Sequence, residues 1–214
     1  LRIEDGQGSL VACVFPSMPD HMRQMLIAYL VAAFEAQSAN LQETDSASEG
    51  REYRFPALHF SWYNRHGTRG HGIPTSSHPI LSEKDDHSRT NYTQMLPYPS
   101  RDMSKFEEIY QNLEEIFQGV FEWMAEHARC WLPEEYHDLS MDAEVLPGNA
   151  HSIVHPFLSL VVNLNVTTSA HRDRQDKALC VVLVIGDHTG GELCMYEPGL
   201  VFPLRNGDFV AFPS

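Results

Sequence analysis

The chain has 214 residues with 15 basic and 29 acidic side chains, a formal net charge of −14. Hydrophobic residues make up 43% and charged residues 21%, which excludes wholesale disorder and fits one globular domain, or one domain with a helical annex. The longest apolar run, Met25–Phe34, is too short to cross a bilayer, so no membrane partner is expected.

The N-terminal stretch lacks the basic, apolar, small-residue order of a secretory leader. The four cysteines (Cys13, Cys130, Cys180 and Cys194) form no CxxC pair. They are expected to be reduced thiols in an intracellular setting, nuclear or cytoplasmic. Leu1 at one end, and Phe212-Pro213-Ser214 closing an apolar strand at the other, lead us to expect cut edges of a longer chain. The acidity is concentrated: residues 106–150 carry 1 basic against 11 acidic side chains, whereas residues 51–105 carry 8 against 5, with five of the twelve histidines. Global negative charge repels nucleic acid at long range, but a locally basic stretch can meet phosphates.

Pro19-Asp20 marks a helix start, and Met22, Met25, Leu26, Tyr29, Leu30 and Ala33 recur at helical spacing through Gln37. Residues 38–50 form a polar linker. Residues 53–63 are aromatic and are expected to include a short strand. The segment 64–100, rich in Gly, Pro, Ser and His, is expected as a long functional loop. A helix capped by Asp102 or Ser104 then carries a stripe of Phe106, Ile109, Tyr110, Leu113, Ile116, Phe117, Val120, Phe121 and Met124, with Glu107, Glu108, Glu114, Glu115, Glu122 and Glu126 opposite. Pro133 is expected to end it in an irregular region closed by Pro147-Gly148. Strands are expected within residues 157–167, 179–185, 192–196, 201–204 and 209–212, the last two joined as a hairpin by Arg205-Asn206-Gly207-Asp208. Short strands preceded by helices predict an α+β fold, a small β-barrel or jelly roll with helices packed on one side.

The chemistry-bearing segment runs from Asn163 to Asp173. His171 and Asp173 are two residues apart, so in an extended chain they point to the same side and can hold one metal ion. A further His from a distant strand would complete a two-His-one-carboxylate triad suited to non-haem Fe(II). Gly190-Gly191-Glu192-Leu193, Gly199 and Gly207-Asp208-Phe209-Val210-Ala211-Phe212 follow a buried strand, the order of a double-stranded β-helix oxygenase.

Region 151–214 resembles the Fe(II)/2-oxoglutarate dioxygenases. The longer run 55–214 resembles the fungal branch of the Tet/JBP-type nucleic-acid base oxygenases, through residues 58–65, 91–98, 163–173 and 190–214. The resemblance implies a double-stranded β-helix (jelly roll) spanning 51–214, supported by a helix over 102–132, with barrel strands in 157–214; the helix and linker read above occupy 1–50. It implies that His171 and Asp173 bind Fe(II); Asn163 and Asn165 are candidates to line the 2-oxoglutarate pocket, or else bond backbone within the barrel. Asp176 would accept from the exocyclic amine of a flipped cytosine, the alternative being a solvated loop carboxylate beside Arg174 and Lys177; Asn64 and Arg65 are expected to contact the nucleic acid. The expected activity is oxidation of a base such as 5-methylcytosine. The family's last iron-binding His and its 2-oxoglutarate-binding Arg are expected beyond Ser214, together with the last barrel strands. This chain by itself is therefore expected to be impaired. Alternatives are a protein or small-molecule hydroxylase on the same fold, and a degenerate binding module without catalysis.

Other clusters suggest less. His59, His66, His71, His78 and His87 fit no closed zinc spacing. Arg65, Arg69 and Lys84 could touch phosphates. Phe60, Trp62 and Tyr63 could stack on bases or belong to the core.

Overall fold

A computed structural model of the protein describes residues 1–35, 57–66, 95–144, 152–166 and 179–213. Two strands open the chain where no element was expected, β1 (Arg2–Glu4) and β2 (Leu10–Phe15). Asp5 ties the turn between them: its carboxylate accepts from the backbone N–H of Ser9 (2.9 Å) and Gln7 (2.8 Å). These bonds favour the charged form and hold the Asp5 carboxyl below the usual carboxylate range.

α1 (Asp20–Phe34) ends three residues before the expected Gln37. After it come β3 (Ala57–His66) and β4 (Met95–Pro99), strands that occupy both margins of the segment expected to be loop. The long central helix is broken in two, α2 (Arg101–Lys105) and α3 (Glu107–Trp131), because Phe106 adopts φ −122° and ψ 41° between them. The cap of α2 is Ser100, not Asp102 or Ser104. Its hydroxyl accepts from the N–H of Met103 (3.2 Å) and of Ser61 (3.3 Å) and donates to the carbonyl of His59. Pro133 does not lead into irregular chain. It is the first residue of α4 (Pro133–Glu144), a position where the missing N–H costs nothing and the fixed φ suits a helix.

α1 and α3 pack together through Leu26, Ala33 and Phe34 on one and Ile109, Leu113, Phe117 and Val120 on the other, with Leu58 and Phe60 of β3 in the same cluster. The expected α3 stripe is the buried face, and all six glutamates named for the other side are exposed. The hydrophobic period therefore places α3 correctly, while its caps and break follow from local bonds.

The remaining strands are β5 (Ser159–Asn163), β6 (Leu179–Leu183), β7 (Leu193–Met195), β8 (Leu200–Phe202) and β9 (Phe209–Pro213). All described pairings are antiparallel. One sheet has the order β1-β2-β9-β6, a second β4-β3-β5, and β7 pairs with β8 alone. The first sheet is apolar on both faces. Cys13, Phe15, Leu179, Phe209 and Ala211 meet Leu132 and Leu139 of the helical layer. The alternate residues Ala12 and Val210 meet Phe202 and Leu204 on the opposite side, where Leu193, Met195 and Leu200 also pack. This alternation is the period-2 pattern of a strand used on both sides. The result is a helix layer, a four-stranded sheet and a β7–β8 ribbon stacked in that order.

β8 and β9 do not form the expected hairpin: β8 pairs with β7, while β9 lies between β2 and β6. The Arg205–Asp208 turn is a crossover between layers, because its polar groups bind elsewhere. Gly207, at φ +80°, donates its N–H to the Val184 carbonyl (2.8 Å), and Asn206 Oδ1 accepts from the N–H of Gly186 (2.9 Å). A Cβ on Gly207 would lie 3.0 Å from Met18 Sδ, so that flexible side chain would have to shift; it is the positive φ that calls for glycine here.

Replacing Ser100 by Ala removes one donor and one doubly used acceptor from a residue 4% exposed. It is expected to lower the unfolding free energy by about 1–2 kcal/mol, the cost of a lost cap with buried groups left unpaired. Urea titration of the variant measures this, and a change within about 0.3 kcal/mol would show that water replaces the hydroxyl.

Candidate functional site

The outer face of the β4-β3-β5 sheet is where the described structure approaches the HxD segment in sequence. β5 buries Leu160 and Val162 against the helical cluster and turns Ser159, Val161 and Asn163 outward. Its register with β3 sets Ala57 opposite Asn163 and His59 opposite Val161. His59 is exposed on that face, and its backbone N–H donates to Asp102 Oδ2 (3.0 Å). Asn163 is exposed at the end of β5. Asn165 follows at φ +52°, a left-handed conformation that asparagine tolerates better than most residues.

His171, Asp173 and Asp176 lie outside the described residues, as do Arg69, His71, His78, Lys84 and His87. Asn64 and Arg65 belong to β3, paired in register with Pro97 and Leu96 of β4. They are seven and eight residues along β3 from Ala57, the partner of Asn163. At the rise of an extended strand that is about 23 Å or more. Asn163, at the end of β5, and the Asn64-Arg65 pair are therefore not brought to one spot. Phe60 is 2% exposed and sits in the core beside Leu58, tilted against Tyr110 with ring centroids 5.4 Å apart. It is a packing residue and presents no free face to a base.

A second polar cluster forms where β9 begins, at the Arg205–Asp208 segment expected as a hairpin turn. Asp208, 4% exposed, accepts from Arg23 Nη1 (3.1 Å), from the backbone N–H of Arg205 (3.0 Å) and from Arg205 Nε (3.4 Å). Arg23 also donates to the carbonyls of Asn206 and of Pro16, the latter at 2.9 Å. Asn206 Nδ2 returns a bond to the Arg23 carbonyl (3.0 Å). His188 completes the margin, with ring nitrogens 3.2 Å and 3.0 Å from the carbonyl oxygens of Gly186 and Leu204. Asp20, Asp187, His188 and Arg205 line the shallow cleft beside it. The charges there are mixed in sign, and Arg23 and Asp208 satisfy one another. The cluster fastens α1 to the sheet and offers no nucleophile with an adjacent base. The available signal in the sequence was Asn206 and Asp208 flanking a glycine, which reads as turn chemistry and does not reveal a partner 183 or 185 positions away.

Among the described residues no group of three or more His, Cys, Asp or Glu side chains is placed to hold a metal ion, and no helix is long and apolar enough to cross a membrane. No family model, no curated protein and no solved structure matches this chain.

Proposed function

We propose that the chain carries an Fe(II)/2-oxoglutarate-dependent oxygenase domain of double-stranded β-helix type, acting on a modified nucleic-acid base such as 5-methylcytosine. The observation that supports this most is the path of the chain after the HxD segment. β6 lies in the helix-backed sheet, β7 and β8 cross to the opposite layer, and β9 returns to pair antiparallel with β6. Alternation between two facing layers is how a jelly roll is wound.

The donor set fits ferrous iron: His171 offers an imidazole and Asp173 a carboxylate, the two ligand types of the facial-triad oxygenases. Bound Fe(II) with 2-oxoglutarate would supply the power to oxidise an unactivated C–H bond. The residues proposed here hold and orient. Asn163 and Asn165 border the co-substrate, and Asp176 accepts from the amine of the flipped base. The distance of Asn64 and Arg65 from Asn163 suits contacts to the strand that flanks the flipped nucleotide rather than to the base itself.

The deciding assay incubates the whole natural protein, with whatever sequence flanks these 214 residues, with Fe(II), 2-oxoglutarate and duplex DNA containing 5-methylcytosine. Succinate and an oxidised cytosine nucleoside are expected in equal amounts, and both are expected to vanish in His171→Ala and Asp173→Ala. Succinate coupled to a protein or small molecule, with the DNA untouched, would move the substrate to the hydroxylase class. Fe(II) affinity unchanged in both variants, with no succinate formed, would leave the oxygenase reading without support.

A further inference from the structure

α1 breaks the rule for a surface helix. Its inner side buries Leu26, Ala33 and Phe34, yet its outer side exposes Met25 (42%), Ile27 (45%) and Val31 (52%). Ala28 is exposed between them and Ala32 is half-buried. The only charged side chain between His21 and Phe34 is Arg23, which is engaged by Asp208 and by backbone carbonyls. A helix that is apolar all round normally has something on both sides.

We propose that this outer face pairs with the same face of a second copy of the chain, antiparallel, about a two-fold axis at Ala28. The observation that favours a second copy over a different partner is that the two ends of this seam complement one another. His21, Gln24, Met25, Ala28, Val31, Ala32 and Glu35 follow the i, i+3, i+4, i+7 rhythm of a helix seam. A two-fold axis at Ala28 matches position i with position 56 − i. Met25 then meets Val31, Gln24 meets Ala32, and Ala28 meets its own copy, where its small side chain permits a close crossing. At the two ends the His21 imidazole meets the Glu35 carboxylate, an N–H donor facing a charged acceptor, and antiparallel helix dipoles are also favourably aligned. The interface is isologous, each contact occurring twice. One helix pair of this length falls short of the roughly 1,200–2,000 Å² buried by stable complexes, so the dimer is weak and in exchange with monomer.

Sedimentation equilibrium of the purified protein at neutral pH tests this, loading from about 5 to 500 µM to bracket the weak range. A concentration-dependent shift from monomer to dimer is expected. Val31→Glu, at a position already exposed, is expected to weaken it at least tenfold with an unchanged circular dichroism spectrum. Glu35→Lys is expected to weaken it as well, and the charge-swapped variant His21→Glu/Glu35→Lys to restore it. Monomer throughout the range overturns the proposal. A dimer indifferent to Val31→Glu, or one that the swap fails to rescue, overturns it too. None of these residues belongs to the proposed oxygenase site, so the outcome is independent of that reading.

Discussion

Asp208→Ala is expected to lower the unfolding free energy by about 3 kcal/mol, because it leaves a largely buried guanidinium without its counter-charge. The Asp208 side chain is 5% exposed and that of Arg23 is 21% exposed, so neither is free to be solvated in place. Arg205, 74% exposed, adds little as an ion pair. Its backbone N–H, however, also loses an acceptor when the carboxylate goes. Asp208→Asn keeps an acceptor oxygen and loses the charge, so its cost is expected to be about half as large, in line with the difference between charged and neutral hydrogen bonds. Urea titrations of Asp208→Ala, Arg23→Ala and the double variant close a cycle. Residues that share one network should show a coupling of about 1 kcal/mol or more. Strict additivity would mean that the two side chains are held separately by their other partners, and that the cluster does not join α1 to the sheet.

This cluster also marks the boundary of what the sequence discloses. The α3 stripe was legible because burial of a helix repeats every three to four residues, and Ile109, Leu113, Phe117 and Val120 all lie on the face so named. β6 and β9 were legible as apolar runs. Their place in the sheet was not, since a run that is apolar on both faces does not say which strand lies beside it. β2 shows this most plainly: Leu10–Phe15 reads as an apolar run near one end of the chain, and it pairs with β9 near the other. Periodicity carries no information about partners some two hundred residues apart. The Asn-Gly turn misled for a related reason. Its local propensity is real, with Gly207 at positive φ, but whether a turn joins paired strands or crosses between layers is set by what lies over it, here Arg23 and Gly186. Of the candidate site, the register of β5 against β3 puts Asn163 beside Ala57, and strand geometry separates it from Arg65. The proposed ligands His171 and Asp173 lie outside the described residues; they are read from the sequence and rest on the assays above.

The other large effect is expected at Phe209. The side chain is 0% exposed, stacked on Phe15 of β2 with centroids 4.2 Å apart and planes 9° apart. It also meets the edge of Trp123 on α3 at 5.5 Å and 85°. In register it stands between Phe15 and Leu183, so it touches both neighbouring strands and the helix that covers them. Truncation to Ala leaves a cavity that three separate elements would have to move to fill. The expected loss is therefore at the upper part of the usual range, about 4–5 kcal/mol. Phe209→Leu retains most of the volume but loses the two aromatic contacts, each about 0.5–1.5 kcal/mol beyond burial, and is expected to cost about 1.5–2 kcal/mol. Tyr196→Ala, at a ring 86% exposed on the β7–β8 ribbon, serves as the control and should stay within about 0.5 kcal/mol of the parent. Denaturant titration followed by tryptophan fluorescence reads stability, and the native emission of Trp123 should change in Phe209→Ala because its packing partner is gone. If Phe209→Ala cost no more than Phe209→Leu, the sheet and α3 would have to be closing the cavity together. The layer that supports the proposed oxygenase fold would then be pliant rather than fixed.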